Sequence, residues 1–517
     1  MNFFKSGVKS GGLTKSGFKS GFGGGGFINK SLNRSNLSGG LLKNGLVKNA
    51  LNKNALIKSD KKSDGLIKGA LIISIGGFIT KILGAFYRVP LTNILGAEGL
   101  GLYQAVFPIY CLLLTLSSTG VPSGVSKIIA EGENEFSALK SALAVFLPLG
   151  LFGGIIMAAF SSVIANLQGA PESLFAYMAI SPSVALVGVI SCFRGFFQGK
   201  AEMKYTAVSQ VSEQAVKLAA GLIITSALKE TPALAAAGAA LAVTIAEAAA
   251  VIYLTVAFKL KTKGLSHVFK AELNVKRVIK TVVPVTLSAS AIPIVKTIDS
   301  FLILNILGGY LTNATRLYGL YSGATESLIG VPVSLLYGLA ATGIPVIAKL
   351  KAEKKDTKLK CRKVILYTLF PSVVFAAATF VFAPLAVRIL YSALPAAEKA
   401  TSANMLKLAS PAIIFLSLTQ TTAAELIALD KIYAPCVSSF SGGAVKLILS
   451  FILLKIPYIN VYGAIISDTV HYFVACLINL VYIKKANKTK EVLNEQTDDS
   501  GLRLKRRGYN RQGIKSD

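Results

Sequence analysis

From about residue 67 to residue 483 the chain repeats one pattern, an apolar run of roughly 20 residues followed by a short polar connection. A hydrocarbon layer about 30 Å thick needs about 20 apolar residues per helical crossing. The runs lack the strict two-residue alternation of a membrane barrel, so they predict helices. Twelve spans are expected. The first six are 67–88, 99–120, 140–165, 173–197, 204–228 and 233–258, and the second six are 279–304, 317–346, 364–390, 403–428, 433–455 and 460–483. The expected fold class is an all-α polytopic membrane protein.

The stretch 80–133 stands out because it is apolar yet carries Lys81, Arg88, Pro90, Pro108, Pro122 and many glycines. Charges and helix breakers are costly in lipid, so they call for a reason. The stretch also has an echo. Asn93-Ile-Leu-Gly96 returns as Asn305-Ile-Leu-Gly308, Thr119-Gly-Val-Pro122 as Thr342-Gly-Ile-Pro345, and Pro108 has a counterpart in Pro332. Further on, Ser181-Pro182 matches Ser410-Pro411, and Ala215-Val-Lys-Leu218 matches Ala444-Val-Lys-Leu447. The order is kept, which predicts a parallel internal repeat of two six-helix lobes with a substrate path between them. The expected parts are a basic tail 1–65, an N-lobe 66–258, a basic linker 259–278, a C-lobe 279–483 and a charged tail 484–517.

Charge changes the picture next. The chain has 55 Lys and Arg against 25 Asp and Glu, a formal net charge of +30, yet only 15% of its residues are charged. The positive charge sits in the tails and in alternate connections, notably 259–278 and 347–363, so it reads as membrane topology, and no nucleic-acid partner is expected. Both tails fall on the lysine-rich side, which places both termini in the cytoplasm, and the basic low-complexity tail is expected to lie near anionic lipid. Five cysteines form no CxxC pair and only two histidines are present, so no metal, disulfide framework or histidine-based catalytic site is expected. A G-x-x-x-x-G-K-[ST] loop is absent from the sequence, and no cofactor is expected.

Charges inside spans mark candidate chemistry. In the first half these are Lys81 and Arg88, two turns apart on one helix face, then Arg194, Glu213 and Lys217. In the second half they are Lys296, Asp299, Glu326, Glu425, Lys446, Asp468 and His471. Glu213–Lys217 at i,i+4 and Lys296–Asp299 at i,i+3 have the spacing of local ion pairs, structural or substrate-binding. Arg88 and Arg194 either face a cavity or extend to the interface. An arginine suits phosphate, since its planar fork donates two charge-assisted hydrogen bonds. Glu326 and Asp468 lie mid-span and are candidates for ion or proton coupling. Pro108 and Pro332 are candidate hinges, or fixed bends that shape the bundle.

The run from Asn93 to Tyr110, NILGAEGLGLYQAVFPIY, followed by TGVPSGVSKIIAE, resembles the first two helices of the stage V sporulation protein B group of polysaccharide biosynthesis proteins. Phe193 to Leu218 resembles that group's signature across the fourth and fifth helices. The superfamily unites multidrug extrusion pumps, polysaccharide exporters and lipid II flippases. The resemblance implies a two-lobed bundle in a bacterial cell membrane, without enzymatic activity, that rocks to flip an undecaprenyl-diphosphate-linked sugar. It also implies that basic residues of the first helix, here Lys81 and Arg88, line the central cavity. The resemblance implies that relatives in the flippase branch often carry fourteen spans where twelve are expected here, and that the extra pair supplies their groove for the lipid tail. The competing expectations are a cation-coupled multidrug antiporter of the same fold and, more remotely, a membrane enzyme acting on lipid-linked sugars.

Overall fold

The computed structural model describes residues 43–262, 266–341, 343–353 and 355–512. Most of the expected basic tail, 1–42, lies outside the described residues. The packing described below is that of the unit Ser63–Asp517.

Helix α1, Lys43–Leu114, carries both of the first two expected spans. They run on without a polar connection because residues 89–98 are themselves mostly apolar, and the break falls at Gly96, whose φ of 63° and ψ of −178° a side chain would resist. A widened π-helical stretch, Thr115–Thr119, leads into α2, Val121–Ala130. Helix α3, Glu135–Ala159, starts where the Asn134 side chain accepts from the Phe136 and Ser137 amides. The short α4, Ser161–Gln168, stops at Gly169 in the left-handed region. Then come α5, Leu174–Gly199, α6, Met203–Ala227, and α7, Pro232–Thr262.

After α8, Ser266–Lys270, the expected seventh span is split at Ser290 into α9, Val275–Ala289, and α10, Ala291–Gly308. The expected eighth span is divided further, into α11, Ala314–Tyr318, a π-helical stretch Gly319–Thr325, α12, Glu326–Ala341, and α13, Ile344–Ala352. The chain closes with α14, Lys358–Leu390, α15, Ala396–Ala428, α16, Ala434–Leu453, and α17, Tyr462–Gln512. Helix α17 continues into the expected charged tail as far as Gln512, over a stretch rich in Lys, Glu and Leu, which are good helix formers, with no proline among them.

Among the described residues, nine helices are long and apolar enough to cross a membrane. This differs from the expected twelve spans for chemical reasons. Ile79–Ala130 takes the first two together, α6 dilutes its apolar face with Lys204, Glu213, Lys217 and hydroxyl residues, and the segment 314–352 is cut into short pieces.

Packing sorts the helices into two groups. Helices α3, α5, α6 and α7 pack on one another, and α12, α14, α15, α16 and α17 do likewise. Residues 76–99 of α1 join the first group, with Gly76 against Ala207, Gly84 near Gln214 and Gly221 under the Tyr87 ring. Helix α9 also sides with the first group. Its Val278 and Val282 share a core with Val121, Phe196 and Phe258, while Val295 of α10 packs on Gly443 of α16. The chain therefore passes from one group to the other at Ser290, within the expected seventh span.

The groups meet closely at the end of the bundle away from the basic connections. A Cβ at Gly101 would overlap the Thr315 carbonyl, and one at Gly319 would overlap the Ala97 carbonyl. Asn93 donates to the Leu390 carbonyl at 2.8 Å and accepts from the Ala393 amide at 3.0 Å. Arg316 reaches across to Glu98 with two nitrogens, at 3.0 and 2.7 Å.

Candidate functional site: a cationic cavity beside an apolar groove

Below that closed end, α1, α6 and the start of α12 enclose a cavity of about 270 Å³ lined by Tyr87, Arg88, Gln104, Phe107, Lys217 and Ser327, among others. Arg88 is exposed to it, and its Nη1 donates to the Ser327 hydroxyl at 2.9 Å. Lys217 comes from α6, and its Nζ lies 5.6 Å from the Tyr87 ring centre and 5.9 Å from that of Phe107. Cation–π contact of this kind steadies an ammonium without neutralising it. No carboxylate is among the lining residues. Two cations facing one small space repel each other, and an anion between them relieves that repulsion.

Helix α1 presents a second surface here. Residues Phe86, Val89 and Pro90, interleaved with the cavity residues Tyr87 and Arg88, line an open groove of about 630 Å³. Leu328, Pro332 and Phe382 complete it from α12 and α14. Ser327 and Leu328 are consecutive, so α12 as well faces the cavity with one residue and the groove with the next.

The other expected site residues divide as follows. Lys81 is exposed two turns from Arg88, with Nζ 5.6 Å from the Tyr337 ring centre, and is not among the cavity's lining residues. Arg194 of α5 donates through Nε to Ser209 at 3.0 Å and through Nη2 to Glu213 at 2.9 Å. The expected local pair Glu213–Lys217 is therefore not the one formed: a cation from another helix takes the carboxylate, and Lys217 turns to the rings. Tyr110 donates to the buried Glu247 at 2.5 Å. Sequence reasoning passed over Glu247, although it is the single acid in the alanine-rich run of α7.

The second group gathers charges of both signs. Lys446 is fully buried and lies 2.7 Å from Asp299 Oδ2 and 2.5 Å from Asp468 Oδ1. Lys296 pairs with Glu326 and stands 3.9 Å from Asp468, the Tyr321 hydroxyl donates to Asp468, and Ser450 donates to Asp299 at 3.2 Å. The expected local pair Lys296–Asp299 is thus replaced by pairs between helices. A cavity of about 210 Å³ opens on Lys296, Tyr321, Glu326, Asp468 and Tyr472. Pro332 lines the apolar groove, whereas Pro108 lies inside α1 between the Gly96 break and the π-helical stretch. Among the described residues no cluster of three or more His, Cys, Asp or Glu could hold a metal ion.

Comparison with known proteins adds to this geometry. The chain is 28% identical to Stage V sporulation protein B of Bacillus subtilis (strain 168) over 444 residues, 81% of this chain and 83% of that protein. It is 26% identical to Lipid II flippase MurJ of the same organism over 475 residues, 84% and 86% of the two chains. In fold it is similar to an inward-facing multidrug resistance MATE family transporter of the MOP superfamily, with a TM-score of 0.68, 14% identity and coverage of 80% of this chain and 95% of that one. The profile of the polysaccharide biosynthesis protein family matches residues 66–351. With more than half of its length matched and its helices long and apolar, the chain is a multi-pass membrane protein and belongs to the polysaccharide biosynthesis protein family.

Proposed function

We propose that this protein is a transporter, not an enzyme, that flips an undecaprenyl-diphosphate-linked oligosaccharide, lipid II or a related cell-wall precursor, by alternating access. The observation that carries the reading is the pairing of an acid-free cavity holding Arg88 and Lys217 with an apolar groove on the same helix. An amphiphile with an anionic head fits that pairing. The diphosphate sits between guanidinium and ammonium, and the prenyl chain stays in the groove, in contact with lipid. The groove serves the tail without the extra pair of helices that the resemblance implies for the flippase branch.

In this reading the bundle has twelve spans in two lobes. The basic connections and both termini are cytoplasmic, and the basic tails hold to anionic lipid. The closed end at Gly101, Gly319 and Glu98–Arg316 then faces outward. Lys81 and Arg194 lie on the approach from the cytoplasm, Glu326 and Asp468 are candidates for coupling, and Pro108 and Pro332 flex as the lobes rock.

The test is translocation of labelled lipid II in vesicles. Arg88→Ala removes a charge-assisted bond worth about 1.5–3 kcal/mol, so transport at limiting substrate should fall by about ten- to hundred-fold. Equal transport by wild type, Arg88→Ala and Lys217→Ala would sink the reading. Export of a cationic dye without lipid movement would favour the antiporter.

A further inference from the structure

The second helix group contains a buried polar seam whose far end, at Glu425, lies outside both cavities. Glu425, in the last turn of α15, is fully buried, and neither of its carboxylate oxygens has a hydrogen-bond partner. It lies at the helix end where the backbone dipole is negative, which further disfavours a carboxylate ion. One turn earlier, Thr422 Oγ1 accepts from Asn479 Nδ2 of α17 at 3.1 Å. Asn479 is fully buried too, and its Oδ1 has no donor.

Following α17 away from Asn479, the same face continues through the apolar Ala475 to His471 and Asp468 at helical spacing. His471 is buried with Nδ1 unpartnered, and Asp468 belongs to the Lys446 cluster. On α15, Ser417 Oγ is likewise buried without a partner, and the Thr419 hydroxyl donates to the Tyr472 carbonyl at 2.9 Å, tying the two helices together at this level.

The surroundings decide what Glu425 holds. Its neighbours Leu426 and Leu429 share an apolar cluster with Ala340 of α12, Ile347 of α13, Cys361 and Val364 of α14, Ala434 of α16 and Ile483 of α17. The titratable members of that cluster and its margin are the Cys361 thiol and the Tyr482 phenol, and none of the ion pairs formed by described residues includes Glu425. His471, by contrast, is stacked on Tyr472, packs on Gly442 of α16, and is close to Lys446, Asp468 and Lys296. A buried carboxylate with neither counter-charge nor donor is the costly form, and a proton removes the charge.

We propose that Glu425 is a proton-carrying site, one turn from the contact between Thr422 and Asn479, and that proton exchange there drives the transport cycle. One proton binds the ionised carboxylate when the seam opens, travels as the neutral acid while buried, and leaves as a proton when the seam opens again. The coupling rests on the flippase reading above, whereas the proton site does not.

Two measurements on the full chain keep these apart. In lipid nanodiscs at neutral pH, infrared difference spectra of wild type against Glu425→Gln should show a protonated-carboxyl band that the variant loses, with Glu98→Gln, at the exposed pair with Arg316, as the control that keeps it. Identical wild-type and Glu425→Gln spectra would overturn the site. In vesicles, labelled lipid II movement under an imposed pH gradient should lose its gradient dependence in Glu425→Gln and regain it in Glu425→Asp. An unchanged pH profile in Glu425→Gln would overturn the coupling. A carboxyl band without lipid movement would defeat the flippase reading and leave the proton site standing.

Discussion

Lys217 and Lys446 sit in the same four-residue phrase, Ala-Val-Lys-Leu, yet they have opposite surroundings. Lys446 is sealed between two aspartates, whereas Lys217 lies over two aromatic rings beside a cavity that contains Arg88 and no acid. The difference comes from the helices packed alongside. Asp299 and Asp468 arrive from α10 and α17, while the one acid near Lys217 on its own helix, Glu213, is held by Arg194. Similar stretches of sequence thus yield a structural cation in one helix group and an available one in the other.

The comparison is broken most severely at Lys446. Replacing it with alanine leaves two buried carboxylates facing each other, and losing one partner of a buried ion pair costs about 3–5 kcal/mol. Thermal unfolding in detergent should show a large drop in Tm or no folded protein. Lys217→Ala should leave stability within about 0.5 kcal/mol of wild type, as removal of an available side chain does, while labelled lipid II transport falls. If both variants unfold alike, the contrast between the groups is lost.

A smaller effect is expected where the groups touch. Gly101→Val forces a side chain against the Thr315 carbonyl, and overpacking costs about 1–3 kcal/mol. It should disfavour the closed end, read as greater labelling of a cysteine placed at Thr312 by a membrane-impermeant reagent. Unchanged labelling would mean the close approach is not needed for closure. The smallest change belongs to Glu98→Gln. The Arg316 side chain is 54% exposed and that of Glu98 36%, so their pair contributes about 0.2–1 kcal/mol and the loss should shrink further in high salt. A loss of stability beyond that range would show the Glu98–Arg316 pair to be more buried than its geometry indicates.

Much of the helix layout could be read from apolar run length. The run 173–197 became Leu174–Gly199, and 433–455 became Ala434–Leu453. Run length could not reveal that α1 carries on past residue 88, since a break made by one glycine leaves hydropathy unchanged. It also missed Ser290, where the change of helix group depends on what Val282 and Val295 each find to pack on. Arg88 was legible as a cavity residue because a span-borne arginine needs a purpose. Its partner Lys217 was misassigned to Glu213, because spacing along one helix says nothing about a competitor reaching in from α5. Glu247 and Glu98 were missed for the same reason, since Tyr110 and Arg316, which give them meaning, are far away in sequence.

The contact of Gly101 and Gly319 with the backbone opposite has a mechanical corollary. Interlocked side chains must be withdrawn from their sockets before two helices can separate, so such joints resist until they yield at once. Bare main chain against main chain has no sockets, and the joint can slide or part along a smooth course. At these two points the groups can part and reseal without a side chain of Gly101 or Gly319 having to find its place again.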